Sequence, residues 1–213
     1  KQWYQRRVHG DPPKIKMTHK TAAGLRNAVC TSLTVFLLLA GVAALTVWLV
    51  YRPRRPRFTV AGAAVYGLNL SAPPLVSASL QFTMVARNPN RRLSAYYDRL
   101  TAFVSFRDEA ITQPAALPPL YHHRRTTVAL SPLLGGAGPV AVSAAAAQGL
   151  GAEEGYGAVA LKLVVMGRVR WKGGGAWTAH YGVYVGCDLL VGLKNDSVGP
   201  VPLIGAPACK VDM

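Results

Sequence analysis

The longest uninterrupted apolar pattern in the chain lies near its amino end. Residues 28–51 contain no charged side chain and read AVCTSLTVFLLLAGVAALTVWLVY. At about 1.5 Å per residue, roughly 20 helical residues cross the hydrocarbon layer of a bilayer. Trp48 and Tyr51 stand at the end of this run, where amphipathic rings favour the membrane interface. The pattern therefore predicts a transmembrane helix over residues 28–51.

Two other interpretations of this run compete with a membrane span. One is a helix buried in a soluble core, although globular helices are usually shorter. The other is a cleaved signal peptide, whose apolar region normally covers about 7–15 residues and ends at a small-residue site. This run is longer and continues into the Arg- and Pro-rich segment 52–57. We adopt the interpretation of an uncleaved signal-anchor.

Beyond this segment, apolar and polar side chains alternate in the manner of β-strands. The clearest case is 76–87, where only Val85 breaks the alternation. Residues 158–169 are apolar on both faces, as in a central strand. An alanine-rich segment, 140–150, is the one predicted helix of this region. In chain order, the candidate strands cover residues 58–65, 76–87, 100–106, 126–130, 158–169 and 177–189.

Turn-forming residues separate these strands at 88–90, 118–119 and 173–175. Short alternating strands with strong turns favour a mainly β fold, an antiparallel sandwich with one short helix. A single domain of about 150 residues can bury a sufficient core. The predicted organisation is a basic tail over 1–27, the span over 28–51, an Arg/Pro linker over 52–57, and the β-sandwich over 58–213.

The basic residues are concentrated beside the predicted span. The 213 residues include 24 Lys and Arg against 9 Asp and Glu, a formal charge of +15. Residues 1–27 and 52–57 together carry +10 of this charge, and residues 58–213 carry +5. This distribution is typical of segments that lie against lipid headgroups. A nucleic-acid partner is not expected, because that would require a basic stripe on the folded domain. Intrinsic disorder is excluded by the 51% of hydrophobic residues.

The orientation of the span is not decided by the flanking charges, which balance across it. Two Asn-x-Ser triplets, at Asn69 and Asn195, match the glycosylation pattern that is used only on the lumenal side. Cys187 and Cys209 could form a disulfide, which persists in an oxidising compartment, or could be two unpaired buried thiols. We predict that residues 1–27 are cytoplasmic and that the β domain is extracellular. Cys30, near the cytoplasmic leaflet, is a candidate for palmitoylation or for simple apolar packing.

The sequence gives little support for catalysis or for a cofactor. It contains no Gly-x-Ser-x-Gly, Walker or Gly-x-Gly-x-x-Gly motif. His122-His123 is the only histidine pair. On a strand its two side chains would point to opposite faces and could not easily chelate one metal, and no spacing supplies a further ligand, so we expect the pair in an exposed loop. The acidic pairs at 108–109 and 153–154 are expected in loops or at strand ends. We therefore predict no enzyme activity, no cofactor and no metal site.

The order of several landmarks resembles that of the plant harpin-induced-like membrane proteins, whose outer part is a late-embryogenesis-abundant group 2 domain. The similarity covers residues 52–213 approximately. Its most specific element is Asn-Pro-Asn followed by Tyr-Tyr-Asp. The matching landmarks are the segment 52–58, Asn88-Pro89-Asn90, Tyr96-Tyr97-Asp98, 119–121, 126–127, 169–172, 187–189 and 207–211.

The resemblance implies an immunoglobulin-like or fibronectin-III-like sandwich that is anchored in the plasma membrane. It implies a role in plant defence against pathogens, in some relatives in abiotic stress, and no enzyme activity. The residues themselves indicate a conformational role for the Asn-Pro-Asn element. Asn88 precedes proline and so ends its strand in an extended conformation, and the side-chain amide of Asn90 can close the turn.

We predict a single-pass plasma-membrane protein that acts in defence signalling through protein partners, with lipid as a further partner. Acidic cell-wall polysaccharide is an additional candidate partner, because the outer domain and the linker are both basic. The alternative function is a stress-protective or lipid-binding module. An apolar cavity between the sheets would favour that alternative, and a filled core would count against it.

Overall fold

The computed structural model describes residues 19–72, 74–193, 198–205 and 208–213. The chain divides into two compact units, Lys1–Val50 and Tyr51–Met213. Helix α1 (His19–Tyr51) forms the described part of the first unit and ends with the first residue of the second. Its segment Arg26–Tyr51 has a mean hydropathy of 2.5, and none of this segment is buried. By length and composition, this helix is able to cross a membrane, whereas a core helix would be buried.

The second unit consists of two antiparallel sheets and one short helix, α2 (Ala144–Gly155). This architecture confirms the predicted mainly β sandwich. In chain order, the strands are β1 (Arg57–Ala72), β2 (Leu75–Arg87), β3 (Ser94–Phe106), β4 (Glu109–Ala110), β5 (Ala115–Ala116), β6 (Leu120–His122), β7 (Thr127–Leu130), β8 (Leu133–Gly135), β9 (Val140–Ala141), β10 (Ala158–Gly173), β11 (Ala176–Trp177), β12 (Tyr181–Gly192), β13 (Gly199–Val201) and β14 (Lys210–Asp212).

The strand order explains the hydropathy pattern of the long strands. The first sheet has the order β13-β1-β2-β7, and β8 and β9 also pair with β2. The second has the order β14-β12-β10-β3-β4, with β5 and β6 on β3 and β11 on β10. The strand β10 lies between β12 and β3, which confirms the prediction of a central strand from its apolar faces. In β2, buried and half-buried residues alternate strictly, because one face covers the core.

The inward faces of the two sheets form one continuous core. Trp171, Tyr97, Phe82 and Phe106 are among its largest fully buried side chains. The apolar cavity found between the sheets, beside Tyr97, has a volume of about 10 Å³. This is close to the minimum space that one water molecule needs. A cavity of this size is far too small for a lipid chain, which counts against a lipid bound between the sheets at this place.

The predicted helix over 140–150 is displaced along the chain. Val140–Ala141 forms the short strand β9, which pairs with β2, and the helix begins only after Ser143. The Oγ of Ser143 accepts a hydrogen bond from the backbone N of Ala146 at 3.1 Å, which is a typical N-cap. The sequence pattern placed the helix too early because alanine alone does not mark a helix start.

Several predicted strands have the wrong extent; 100–106, for example, is only the last part of β3, and two further cases have an identifiable cause. The short candidate 58–65 is part of the 16-residue β1, whose pairing with β2 shifts register at three places. The single strand expected over 177–189 is divided into β11 and β12. The interruption follows from Thr178, whose Oγ1 accepts a hydrogen bond from the backbone N of Trp171 at 3.0 Å. The backbone N of Thr178 still donates to the O of Trp171 at 2.9 Å, so a side chain replaces the backbone acceptor in only one of the two bonds at that position.

Candidate functional site at the linker end of the domain

Asn88 connects three segments of the chain at the end of the sandwich where the linker enters. It is fully buried and follows directly after β2. Its Nδ2 donates to the backbone oxygens of Leu93, at 3.0 Å, and His123, at 3.1 Å. Its backbone N donates to the oxygen of Thr126 at 3.0 Å. These bonds join the end of β2, the start of β3 and the β6–β7 turn.

Asn90 extends this network to the linker. Its Oδ1 accepts a hydrogen bond from the backbone N of Arg54 at 2.7 Å, and its Nδ2 donates to the backbone O of Arg54 at 2.8 Å. Asn90 is 4% exposed, and its backbone N and its Nδ2 both donate to Oδ1 of Asn88, each at 3.0 Å. We call Asn88, Asn90 and the backbone of Arg54 the asparagine clamp.

Pro89 contributes to the clamp through its conformation. A residue before proline is disfavoured in the helical region, and proline has no N–H to continue a ladder. The strand β2 accordingly ends at Arg87, as expected. The contact between Asn90 and the linker was not foreseen, because these residues are 36 positions apart and no pattern relates them.

The Tyr-Tyr-Asp element lies within β3 and divides between its two faces. Tyr97 points into the core, with its ring 6.3 Å from that of Phe58 in an edge-on arrangement. Burial raises the pKa of its hydroxyl. Tyr96 and Asp98 are on the outer face, and Asp98 Oδ2 lies 3.5 Å from Nε2 of His180.

Tyr96 belongs to a stack of rings and cations on the outer face of the second sheet. The guanidinium of Arg170 lies 4.8 Å from the ring centre of Tyr96 and 4.5 Å from that of Trp177. The Lys172 ammonium lies 5.1 Å from the Trp177 ring. These cation–π contacts hold flat aromatic surface and positive charge together beside the 173–175 turn. The alternation of β10 and its turn glycines gave no indication of this stack.

The prediction of an exposed histidine loop is wrong for His122. This residue ends β6, pairs with Ala95 of β3 and is fully buried. Its Nε2 lies 2.9 Å from the backbone O of Thr126. Burial lowers the pKa of His122, the Thr126 contact partly offsets this, and the neighbouring His123 lowers it slightly further. His123 is exposed, and its ring packs edge-on against that of Tyr121. The imidazoles of His122 and His123 therefore do not converge on one site.

Exposed basic side chains surround the asparagine clamp. The backbone N of Arg125 donates to the O of Asn90 at 3.1 Å. In the strand ladders, Arg87 lies opposite Arg57 of the linker, and Lys172 lies opposite Ser94. We call the following set the basic turns: Arg87, Arg91, Arg92, Arg124, Arg125 and Lys172. Sequence reasoning assigned the basicity to the flanks of the span and missed that folding adds these residues to the linker arginines.

The predicted disulfide is present between Cys187 of β12 and Cys209. The same tail contacts the other sheet, since the backbone N of Cys209 donates to the O of Phe58 at 3.1 Å. The bond therefore fastens a segment that touches both sheets. Asn69 is exposed on β1, whereas the triplet at Asn195 lies outside the described residues.

A large groove, with a volume of about 710 Å³, lies at the opposite end of the domain, beside α2. Four of its five charged groups form two ion pairs, and the fifth is Asp188. Arg107 contacts Glu153 at 3.1 Å, and Lys162 contacts Asp108 at 3.5 Å. Glu153 lies in α2, whereas we expect it from the sequence in a loop or at a strand end. In the described ranges, no group of three or more His, Cys, Asp and Glu side chains is placed to hold a metal ion.

The sequence is similar to several plant proteins. NDR1/HIN1-like protein 12 of Arabidopsis thaliana is 35% identical over 172 residues, which cover 80% of this chain and 81% of the relative. NDR1/HIN1-like protein 1 is 31% identical over 172 residues, or 80% of this chain and 82% of the relative. NDR1/HIN1-like protein 10 is 30% identical over 187 residues, or 84% and 82%. No protein-family model matches. With this identity over most of its length, the chain belongs to the NDR1/HIN1-like (harpin-induced) family of plant proteins.

Proposed function

We propose that the chain is a single-pass plasma-membrane protein whose outer β-sandwich acts in plant defence through contacts with other proteins, without catalysis. The observation that carries the proposal is the order of parts: a long apolar helix, a short clamped linker and a disulfide-bearing sandwich. Such an arrangement suits a domain presented at a fixed place beside a membrane. Membership in the family supports the defence role by resemblance.

The extracellular orientation is supported by the chemistry of the sandwich. A disulfide persists in oxidising compartments and is rare in the cytosol. Asn69 is exposed on β1, where a glycan on its side chain would extend from the surface. Both features are consistent with residues 1–27 in the cytoplasm.

A non-catalytic role is supported by the ion pairs and the positions of the polar side chains. The carboxylates of the large groove include two that are engaged in ion pairs, and His122, His123 and His180 of the second unit lie away from it. General acid–base catalysis needs such groups to converge on one reacting atom. We therefore propose contact with other proteins, and not catalysis, as the role of the outer domain.

Topology is tested by expressing the full chain in plant leaf cells and treating the membrane fraction with a glycosidase. We expect a mobility shift that is abolished in the Asn69→Gln, Asn195→Gln double variant. A maleimide reagent should label Cys187 and Cys209 only after reduction. An unshifted band together with labelling of Cys187 and Cys209, and not of Cys30 alone, before reduction would place the domain in the cytosol and contradict the proposal.

The defence role is tested separately by bacterial growth in leaves that express the chain. We expect growth to be restricted by the full chain and not by a variant without residues 28–51. The Cys30→Ala variant is the control, since it alters the span without removing it. Unchanged bacterial growth with a correctly located full chain would reject the defence role and leave the topology intact.

A further inference from the structure

The charge of the folded domain is distributed very unevenly. Residues 58–213 contain 13 basic and 8 acidic residues. Six of the basic residues are the basic turns, which leaves seven basic against eight acidic residues elsewhere. No Asp or Glu occurs between Asp11 and Asp98. Of the acidic residues, Asp212 also lies at the linker end, 3.6 Å from Nη1 of Arg55. The basic turns outnumber it, so the excess positive charge of the domain is gathered at that end.

The fold brings the linker arginines to the same end. The asparagine clamp fixes the backbone of Arg54 beside the 88–93 and 122–126 turns. Arg57 pairs with Arg87 at the first position of the β1–β2 ladder. Among the described residues, Arg91, Arg92, Arg124 and Arg125 form no ion pair with a carboxylate.

Chain length limits how far this end can lie from the end of the apolar helix. Only Arg52 and Pro53 separate Tyr51, the last residue of α1, from the clamped Arg54. Consecutive Cα atoms are about 3.8 Å apart, so Tyr51 and Arg54 are at most about 11 Å apart. A surface that close to a membrane span is within reach of lipid headgroups.

The side chains at this end have the chemistry that such a surface needs. Five of the six basic turns are arginines, whose planar guanidinium binds phosphate through two parallel hydrogen bonds. Trp177, 42% exposed beside Lys172, is the type of residue that favours the headgroup layer. Aromatic rings and arginines together are typical of an interfacial surface.

We propose that the basic turns bind the anionic, phosphate-bearing headgroups of the same membrane that holds the helix. The proposal rests on the proposed membrane anchorage. Binding through the turns adds a second attachment, which holds the linker end of the sandwich against the bilayer and leaves its opposite end, with the charged groove, facing away. Acidic polysaccharide is the competing occupant, and headgroups are favoured because only two residues separate the clamped Arg54 from the end of the apolar helix.

The test is hydrogen–deuterium exchange on the full chain in nanodiscs of phosphatidylcholine, alone or with phosphatidylglycerol. We expect amides of the 88–93, 122–126 and 172–177 turns to exchange at least about fivefold more slowly with the anionic lipid. Amides near Arg107 and in α2 should not change. Higher salt should remove the effect, because exposed charges are screened.

Two charge-matched variants identify the surface. The Arg91→Gln, Arg92→Gln, Arg124→Gln, Arg125→Gln variant should lose the lipid-dependent protection. The control variant, Arg99→Gln, Lys162→Gln, Arg168→Gln, Lys210→Gln, removes the same charge elsewhere and should keep it. Unchanged exchange in the core strand β10 would establish that both variants are folded.

The remaining outcomes separate this inference from the proposed function. Equal exchange in both lipids, with the chain inserted in the discs, would overturn the inference and leave the membrane span in place. Stronger protection of the turns by soluble polygalacturonate than by phosphatidylglycerol would also overturn it in favour of a wall partner. A chain that does not insert into the discs would refute the anchorage, and the inference with it.

Discussion

At the scale of single residues, the side chain of Asn90 is nearly fully buried and is hydrogen-bonded both to the linker and to Asn88. Its amide donates to Arg54 and Asn88 and accepts from Arg54, and only 4% of the residue is exposed. The Asn90→Ala variant leaves the backbone of Arg54 and the Oδ1 of Asn88 without these hydrogen bonds, which destabilises the clamped linker by about 1–3 kcal/mol. Trypsin does not cleave before proline, so the Arg54–Arg55 bond is the sensitive site within the linker.

We therefore expect Asn90→Ala to accelerate tryptic cleavage after Arg54 by roughly 5- to 150-fold, since cleavage follows the population of the opened linker. The rate is measured on the full chain in detergent, with the cleavage products identified by mass. Gln148→Ala, which truncates an exposed amide on α2, is the control and should cleave at the wild-type rate. Equal rates for both variants would show that the clamp does not restrain the linker.

His122 gives the domain a pH dependence at the same scale. Burial lowers its pKa below the value of about 6.5 in the unfolded chain, and its Nδ1 has no hydrogen-bond partner among the described residues. The unfolded state therefore takes up a proton first. The stability contributed by neutral His122 is fully present above about pH 6.5 and is lost as pH falls through its folded pKa.

We expect the free energy of unfolding to fall between pH 7.5 and pH 5 less steeply in His122→Gln than in the wild type. The glutamine amide can still donate to the O of Thr126. Urea denaturation followed by Trp fluorescence measures this difference in slope, and the exposed His123→Gln serves as the control. Identical slopes for His122→Gln and the wild type would mean that another group is responsible.

Local rules predicted these residues only in part. The proline rule foresaw that Asn88 would end β2, since it concerns adjacent residues. The burial of His122 depends on the pairing of β6 with β3, and the Asn90–Arg54 contact joins positions 36 apart. Neither is encoded by spacing along the chain, so neither could be found before the fold was known.

At the scale of elements, the bulge between β10 and β3 depends on a missing side chain. A Cβ on Gly167 would lie 2.9 Å from the O of Arg99 and 3.0 Å from the Cα of Leu100. Both are backbone atoms, which cannot move aside without distorting the strand. Arg99 itself has a φ of 50°, which is unusual for a residue with a side chain.

We expect Gly167→Ala to lower the free energy of unfolding by about 1–3 kcal/mol, as for other overpacked sites. Gly182→Ala in β12 is the matched control, because a Cβ there meets nothing within 4 Å. The control should lie within about 0.5 kcal/mol of the wild type. Both are measured by chemical denaturation, and a wild-type value for Gly167→Ala would mean that the bulge adjusts without strain.

The regularity of strand pairing explains which elements were predicted well from the sequence. Alternation identified β2 almost to the residue, because its burial alternates without interruption. It recovered only part of β1, since register shifts near Gly62 and Gly67 break the period of two. The existence of strands was therefore predictable, and their extent failed where the pairing was irregular.

At the scale of the whole molecule, the Cys187–Cys209 bond closes a segment with a sequence separation of 22. Cross-linking a loop of this length restricts the unfolded chain and stabilises the fold by roughly 3 kcal/mol.

The mainly β sandwich behind an apolar helix was predicted correctly, since composition and alternation act over the whole chain. The order of strands within each sheet was not predictable from these patterns.

We expect the Cys187→Ala, Cys209→Ala variant to unfold with about 3 kcal/mol less free energy than the oxidised wild type. A reducing agent should lower the wild type to a similar value and leave the double variant unchanged. Cys30→Ala is the control, because this thiol is free and lies in α1. Equal stability of oxidised and reduced wild type, with thiol release verified, would contradict the prediction.

The carboxyl-terminal tail has a consequence for the behaviour of many copies together. Residues 208–213 cover edges of both sheets at once, through β14 on β12 and the bridge from Ala208 to Thr59 of β1. Unpaired strand edges are templates for association between identical molecules. Proteolytic trimming of these few residues would uncover backbone donors and acceptors on both sheets, so the tail protects the protein from self-aggregation at high local density.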